Sequence, residues 1–416
     1  MKLARAVSSC AEACVRLAGA IRGSACLLLI ALVLLPTTGQ AAPTWVNNLQ
    51  PWQWYAIPGT ALSTVDPTPE PPGFTGPSSK IVAWCGAGLK RQGSVYLIGT
   101  AGGHADYAGN EVDALALNTE TPRWVQLRAP SATSSIINAS QFYLDLKPSA
   151  THTYYATQFV NARNRLFVMP SLGMNAPQFL PAPPSGWAYP VDGGYTFSFN
   201  LATNDWDAPS YVPRYTGGGD VSACLVAKHP VTEDIYYSRP GGGWWKWTQA
   251  TNTFARVNGN SPRNYCGAAI DPVRNRMLVV GSYSGTNGPL VLDLNGNAVS
   301  ATFSGLGASS LTMAGYPGVV YDEASDRFLV VFNSGGQIRI RRVNPETWFV
   351  DEPSVTGSIP GSRQNGIQNA AQFVPELGGL VIANSYGGNV YFVRTSASLP
   401  APDTSVPSTT SDLRIR

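Results

Sequence analysis

Cys224-Leu-Val-Ala-Lys-His-Pro230 and Cys266-Gly-Ala-Ala-Ile-Asp-Pro272 are two copies of one pattern. Each is a short small-and-apolar run that ends in a polar residue and a proline. Each is then followed by a polar turn and an apolar segment, Ile235-Tyr-Tyr-Ser238 in one and Met277-Leu-Val-Val-Gly281 in the other. A run of four to eight residues bounded by turn chemistry reads as a buried strand, and two in succession read as a hairpin. The pattern recurs at Val319–Asp322 with Arg327–Phe332, and at Ala371–Pro375 with Leu380–Ala383. An earlier copy lies at Tyr155–Val160 with Arg163–Val168. Each hairpin is followed by room for two more strands, so the unit is a four-stranded sheet repeated about every 40–60 residues. Such a sheet has two apolar faces and buries them only by stacking against its neighbours around an axis.

Composition agrees. Of 416 residues, 42 are Gly, 33 are Pro and only 13% are charged, which suits many short strands joined by tight turns and excludes a disordered or coiled-coil chain. The first strands start near residues 81, 152, 221, 264, 315 and 368, which gives six units. The last unit stops at Val393 one strand short, and Trp52–Pro58 has the pattern of the missing strand. The expected fold is all-β: a propeller of six blades of four antiparallel strands, closed by its N-terminal strand so that no sheet edge is left open. Seven blades would need a further unit within 128–215. Residues 60–79 read as a Pro-rich surface loop.

The first copy shows the whole unit. Val95–Ile98 leads to Gly102-Gly103, then Asn110–Leu117, then Pro122-Arg123-Trp124. A glycine pair after the second strand and a Trp opening the fourth resemble the kelch-repeat family, the galactose-oxidase type of propeller. Looser copies are Gly193-Gly194 with Trp206, Gly241-Gly242 with Trp247, Gly335-Gly336 with Trp348, and Gly387-Gly388. The resemblance concerns the fold and spans about 45–396.

Residues 1–41 differ from the rest. Lys2, Arg5, Arg16 and Arg22 precede the apolar run Ala25–Leu35 and the small residues before Ala42, as in a secretory signal peptide. The organisation expected is therefore a leader over 1–41, a propeller over 42–396 and a disordered Ser/Thr/Pro-rich tail over 397–416, in a secreted or periplasmic protein. Four of the 28 basic residues and one of the 25 acidic ones lie in the leader, so the remainder is neutral and carries no nucleic-acid footprint. No membrane span is expected once the leader is gone, and the protein is expected to be a monomer.

In a propeller, the loops after the second strands and those leading into the first strands share one face. They bring together His104, Asp106, Tyr107 and Asn110, then Arg239, Tyr283 and Tyr386, with His152 and Tyr154, Arg263 and Tyr265, and Arg363 and Asn365. Two of the chain's three histidines fall there. His104, His152 and Tyr154 are the candidates for acid–base chemistry. The arginines would suit a carboxylate and the aromatics a sugar ring. Other readings stand beside these. The Gly-rich run 102–111 is also what a tight loop requires, and inward arginines also tie blades together. His229 lies in a turn on the opposite face. Cys224 and Cys266 should be neighbours, either bridged or simply buried.

The function expected is binding of a glycan or another exported ligand at this face. The alternative is a uronate lyase-like enzyme using His, Tyr and Arg there, and a copper radical oxidase ranks last because no cysteine falls in the loops of this mouth. No cofactor or metal is expected.

Overall fold

The structure is a computed structural model and describes residues 42–396 apart from 92, 101–105, 172–174, 177, 179, 190–193, 220–223, 261–262 and 314. The leader, the tail and His104 lie outside the described residues. Six antiparallel sheets follow one another along the chain. Blade 1 comprises Ala87–Lys90, Tyr96–Thr100, Val112–Ala116 and Trp124–Arg128; blade 2 comprises Thr157–Val160, Arg165–Val168, Phe197–Asn200 and Asp205–Trp206. Blade 3 is Leu225–Lys228, Ile235–Arg239, Gly243–Thr248 and Thr253–Asn258. In blade 4, Gly267–Asp271, Arg276–Val280 and Leu290–Asp293 carry only a single outer bridge, Leu292 to Ala298. Blade 5 is Gly318–Asp322, Arg327–Ser334, Gln337–Val343 and Val350–Asp351.

The ring closes as the sequence predicts. Blade 6 has Ala371–Val374, Gly379–Ile382 and Val390–Arg394, and its fourth strand is Gln53–Ile57 from the start of the described chain. Trp54 pairs with Val393 and Ile57 with Val390, which puts Trp54 into the core at 1% exposure. A short parallel strand, Thr356–Gly357, covers the outer edge of Gln53–Ile57.

Residue choice within a blade follows depth. Inner strands such as Ala87-Gly-Leu-Lys90 and Gly267-Ala-Ala-Ile-Asp271 use small side chains because six of them crowd the axis. Second strands are sandwiched on both faces. Leu329, Val330 and Val331 are fully buried, as are Leu278, Val279 and Val280. Each such side chain contributes about 2 kcal/mol by leaving water.

The first-to-second-strand turns form a face closed by polar latches. The Arg91 backbone N–H donates to Asn161 Oδ1, joining blades 1 and 2, and Glu233 accepts from the Asn161 and Ala162 backbone, joining blades 2 and 3. His229 meets Asn275, Arg274 pairs with Asp326, and Thr395 donates to Asp322, which continues the ring through blades 4, 5 and 6. Arg91 also pairs with Glu376 and Glu323. His229 is the turn residue its position suggests: its Nδ1 accepts from the Val231 and Thr232 backbone just as Asp271 Oδ1 accepts from Val273 and Arg274.

Three sequence expectations need correction. Inner strands begin at 87, 157, 225, 267, 318 and 371, a few residues late, because the residues before them are not extended. Trp247 lies in the third strand of blade 3, not at the head of its fourth, and is fully buried. Residues 60–79 are more than a surface loop, since Leu62, Pro67, Pro71, Gly76 and Pro77 are buried and Ala108 N–H donates to Pro72 O. Cys85, Cys224 and Cys266 are free and buried.

Candidate aromatic mouth

The face opposite the polar latches is organised by one local device. Two or three residues before an inner strand, the chain turns through a left-handed residue that is not glycine: Trp84 (φ 53°), Tyr154 (φ 43°), Tyr265 (φ 55°), Tyr316 (φ 55°) and Gln368 (φ 50°). Five blades share it, and four of the five residues are aromatic. A left-handed bulky residue costs about 1–2 kcal/mol, so the position is held by its surroundings. Backbone bonds between neighbouring blades do part of this: Tyr154 N–H donates to Trp84 O at 2.7 Å and Gln368 N–H to Tyr316 O at 2.9 Å. The glycine two residues on permits the approach. A Cβ on Gly86 would lie 2.5 Å from Tyr154 O, and one on Gly267 2.5 Å from Pro317 O.

The rings meet across the axis. Blades 2 and 5 stand opposite each other in a six-bladed ring, yet Tyr154 and Tyr316 have centroids 6.4 Å apart. Tyr155 OH of blade 2 donates to Pro317 O of blade 5 at 3.1 Å. Tyr265 lies 6.3 Å from Tyr154 and 5.4 Å from Tyr316, and Tyr283 caps it at 5.0 Å. Trp84 lies 6.5 Å from Tyr154. These are direct ring-to-ring distances. A cage for a cation would need wider separations between opposing rings, so the cluster offers its outer surface rather than a hole. Tyr283 is 74% exposed at its edge.

His152 sits at the rim. It is buried, its ring 5.1 Å from Trp84 and 5.8 Å from Tyr154, and its Nε2 is 2.8 Å from Asp106 Oδ2. Asp106 remains partly exposed and also accepts from Thr75. The structure thus brings together His152, Tyr154, Asp106, Tyr265 and Tyr283.

The other candidates are placed differently. Tyr107 is fully buried and donates to Glu111 Oε1 at 2.8 Å, and burial beside that carboxylate raises its phenol well above the usual range. Asn110 is buried, bonded in both directions to Ser131 and donating to Pro148 O. Arg363 is 2% exposed, and its five N–H groups meet five acceptors: Ala383 O, Gly366 O, Gln368 Oε1, Ile81 O and Cys85 O. Burial lowers its guanidinium to about 10. No donor of Arg363 is left for a carboxylate, so it staples blade 6 to blade 1. Arg239 is buried, donates to Tyr237 OH and stacks over Tyr215. Arg263 donates to Gly288 O at 2.6 Å. Asn365 donates to Val82 O, and Tyr386, in the loop after the second strand of blade 6, donates to Asp66.

Trp84 and Tyr316 are absent from the sequence-derived set. Their signal is an aromatic residue followed, two residues on, by Gly or Ala: Trp84-Cys-Gly86, Tyr154-Tyr-Ala156, Tyr265-Cys-Gly267 and Tyr316-Pro-Gly318. Among the described residues no group of three or more His, Cys, Asp or Glu is placed to hold a metal, and no helix is long and apolar enough to cross a membrane.

Comparison with known proteins finds only distant structural likenesses. No protein-family model matches the chain, and no curated protein matches it. Solved structures do match. One is YjhT, at 10% identity over 75% of this chain and 93% of that one, TM-score 0.44. TolB from Acinetobacter baumannii matches at 10% identity over 69% of this chain, TM-score 0.37, with only 60% of TolB spanned. The β-propeller domain of Myceliophteria thermophila Cps50 (Swd1) matches at 10% identity over 59% of this chain and 62% of that one, TM-score 0.33. At such TM-scores the likenesses carry no argument about this chain, and no site carries over.

Proposed function

We propose that this propeller, kelch-like in its blade pattern and exported by its leader-like first 41 residues, is a recognition module whose aromatic mouth takes an uncharged, ring-faced ligand, a neutral glycan. The observation that carries the reading is the convergence of Trp84, Tyr154, Tyr265 and Tyr316 from four blades in left-handed backbone. Strained backbone is retained where the side chain it presents is used. A pyranose offers a flat apolar face that stacks on such rings, each contact worth about 0.5–1.5 kcal/mol. Charge supports the choice of a neutral ligand: Arg363 is saturated by carbonyls, and Arg239 and Arg263 each spend a donor on the protein itself.

The test is calorimetric titration of neutral, uronic and amino oligosaccharides. Tyr154→Asn and Tyr316→Asn keep a residue that tolerates left-handed backbone while deleting the ring. Each is expected to weaken binding of a neutral oligosaccharide about tenfold, which corresponds to roughly 1.4 kcal/mol. Preference for uronic oligosaccharides, or full affinity in both variants, would refute the reading.

A further inference from the structure

Beneath the 106–111 loop lies a second constellation that the mouth does not use. The chain before blade 1 ends in the short helix Ser79–Val82, from which Lys80 is turned inward. Its Nζ lies 2.8 Å from Asp113 Oδ2 and 3.4 Å from Glu111 Oε1. Glu111 and Asp113 are two residues apart on the third strand of blade 1 and its approach, so their side chains share a face. All three side chains are at most 2% exposed. Two further oxygens, Glu111 Oε2 and Asp113 Oδ1, are buried without a hydrogen-bond partner. One buried ammonium against two buried carboxylates leaves a negative charge uncompensated, and Asp66, 3.9 Å from Nζ at the solvent edge, adds another. Charge buried in that way is costly. A cavity with room for a water-sized molecule adjoins the pair, lined in part by Lys80, Asp113, Thr100, Cys85 and Trp124.

We propose that Lys80 and Asp113 become joined by an intramolecular isopeptide bond, formed by the folded chain itself with Glu111 carrying the proton. A proton first moves from Nζ to the Asp113 carboxylate, turning two buried charges into a neutral amine and a neutral acid, which burial favours. Burial pushes the Asp113 carboxyl up to about 7, with the Glu111 charge adding to it and Lys80 opposing. At Lys80, by contrast, burial is outweighed by the carboxylates of Asp113 and Glu111, which raise the ammonium, so the neutral amine is the scarce form and its supply limits the rate. The Nζ lone pair then attacks Asp113 Cγ. Glu111 takes the proton that the nitrogen loses and delivers it to the departing hydroxyl. The C–O bond breaks, and water leaves into the adjoining cavity. Ammonium plus carboxylate give amide plus water, so no oxidant or second reactant is required. Holding amine and acid in contact supplies effective molarities of about 10⁵ M or more, which offsets the unfavourable equilibrium of amide formation in water. The product removes both charges and leaves an amide N–H to face Glu111. It fastens the segment before blade 1 to that blade's third strand.

The experiment is mass spectrometry of the full chain, purified folded and then digested. The expected result is one peptide pair joined through Lys80 and Asp113, lighter than the separate peptides by one water, about 18 Da. Glu111→Gln is expected to give the separate peptides at full mass. If that variant does not fold by circular dichroism, Glu111→Asp, which keeps a carboxylate, is expected to join more slowly and to a smaller fraction at equal times. Separate Lys80 and Asp113 peptides at full mass from the folded wild-type chain would overturn the proposal. Joining in Glu111→Gln to the wild-type extent would overturn the role of Glu111.

Discussion

Replacing Arg363 by methionine separates a structural arginine from a ligand-binding one. The guanidinium lies at the seam where the last blade meets the first, donating to Ile81 and Cys85 ahead of blade 1 and to Gly366, Gln368 and Ala383 in blade 6. Five bonds from a charged donor, at about 1.5 kcal/mol each, contribute roughly 7 kcal/mol. Against this stands the cost of keeping the cation out of water, visible in a guanidinium lowered from 12.5 to about 10, or roughly 3 kcal/mol. The net stabilisation is about 4 kcal/mol, which Arg363→Met would forfeit while leaving five carbonyl-type acceptors unsatisfied. Urea unfolding followed by circular dichroism should show a lower midpoint with an unchanged slope. Affinity per folded molecule should stay within about threefold of wild type, a change of under 1 kcal/mol. A variant with the wild-type midpoint and a tenfold loss of affinity would refute this account, because the side chain would then be reaching the ligand.

The same physics sets other outcomes. Trp54→Ala removes a fully buried ring from the closing strand and should destabilise by about 3–5 kcal/mol, read as a lower urea midpoint. Burial pushes the Cys85 thiol up to about 11 and the Cys266 thiol up to about 12. At pH 8 both are therefore protonated in the folded chain, and Ellman's reagent should label neither until denaturant is added. Fast labelling of the native protein would place a thiol at the surface. Arg274→Ala breaks its pairs to the half-exposed Asp326 and to the fully buried Asp271 on the opposite face and should cost about 3 kcal/mol in the same urea assay, with no change in ligand affinity.

Much of the fold is legible because blade strands are local. The hairpin Gly267–Asp271 with Arg276–Val280 is written in fourteen consecutive strand and turn residues, and the missing sixth-blade strand shows in Trp52–Pro58. Inner strands start later than their sequence pattern suggests because Trp84, Tyr154, Tyr265 and Tyr316, residue types of strong β propensity, occupy left-handed turns ahead of them. The site was harder to read because partners are distant. Arg363 and Ile81 are separated by 282 residues, so its saturation by carbonyls has no local signature. Tyr107 and Asn110 sit in a loop whose glycines suggest exposure, yet the segment ending at Gly76 folds over it: Thr75 N–H donates to Asp106 O. Trp84 and Tyr316 carry a weaker local signal: the aromatic-x-Gly pattern precedes the strands by which the repeats align.

The claim that the mouth binds through its rings is tested most directly by a crystal structure with a bound neutral oligosaccharide. The account predicts a pyranose face within about 4 Å of the Tyr265 or Tyr316 ring, a contact distance for stacked groups. A sugar seated on the face of the polar latches, or one held at the mouth by arginine with no ring beneath it, would contradict it.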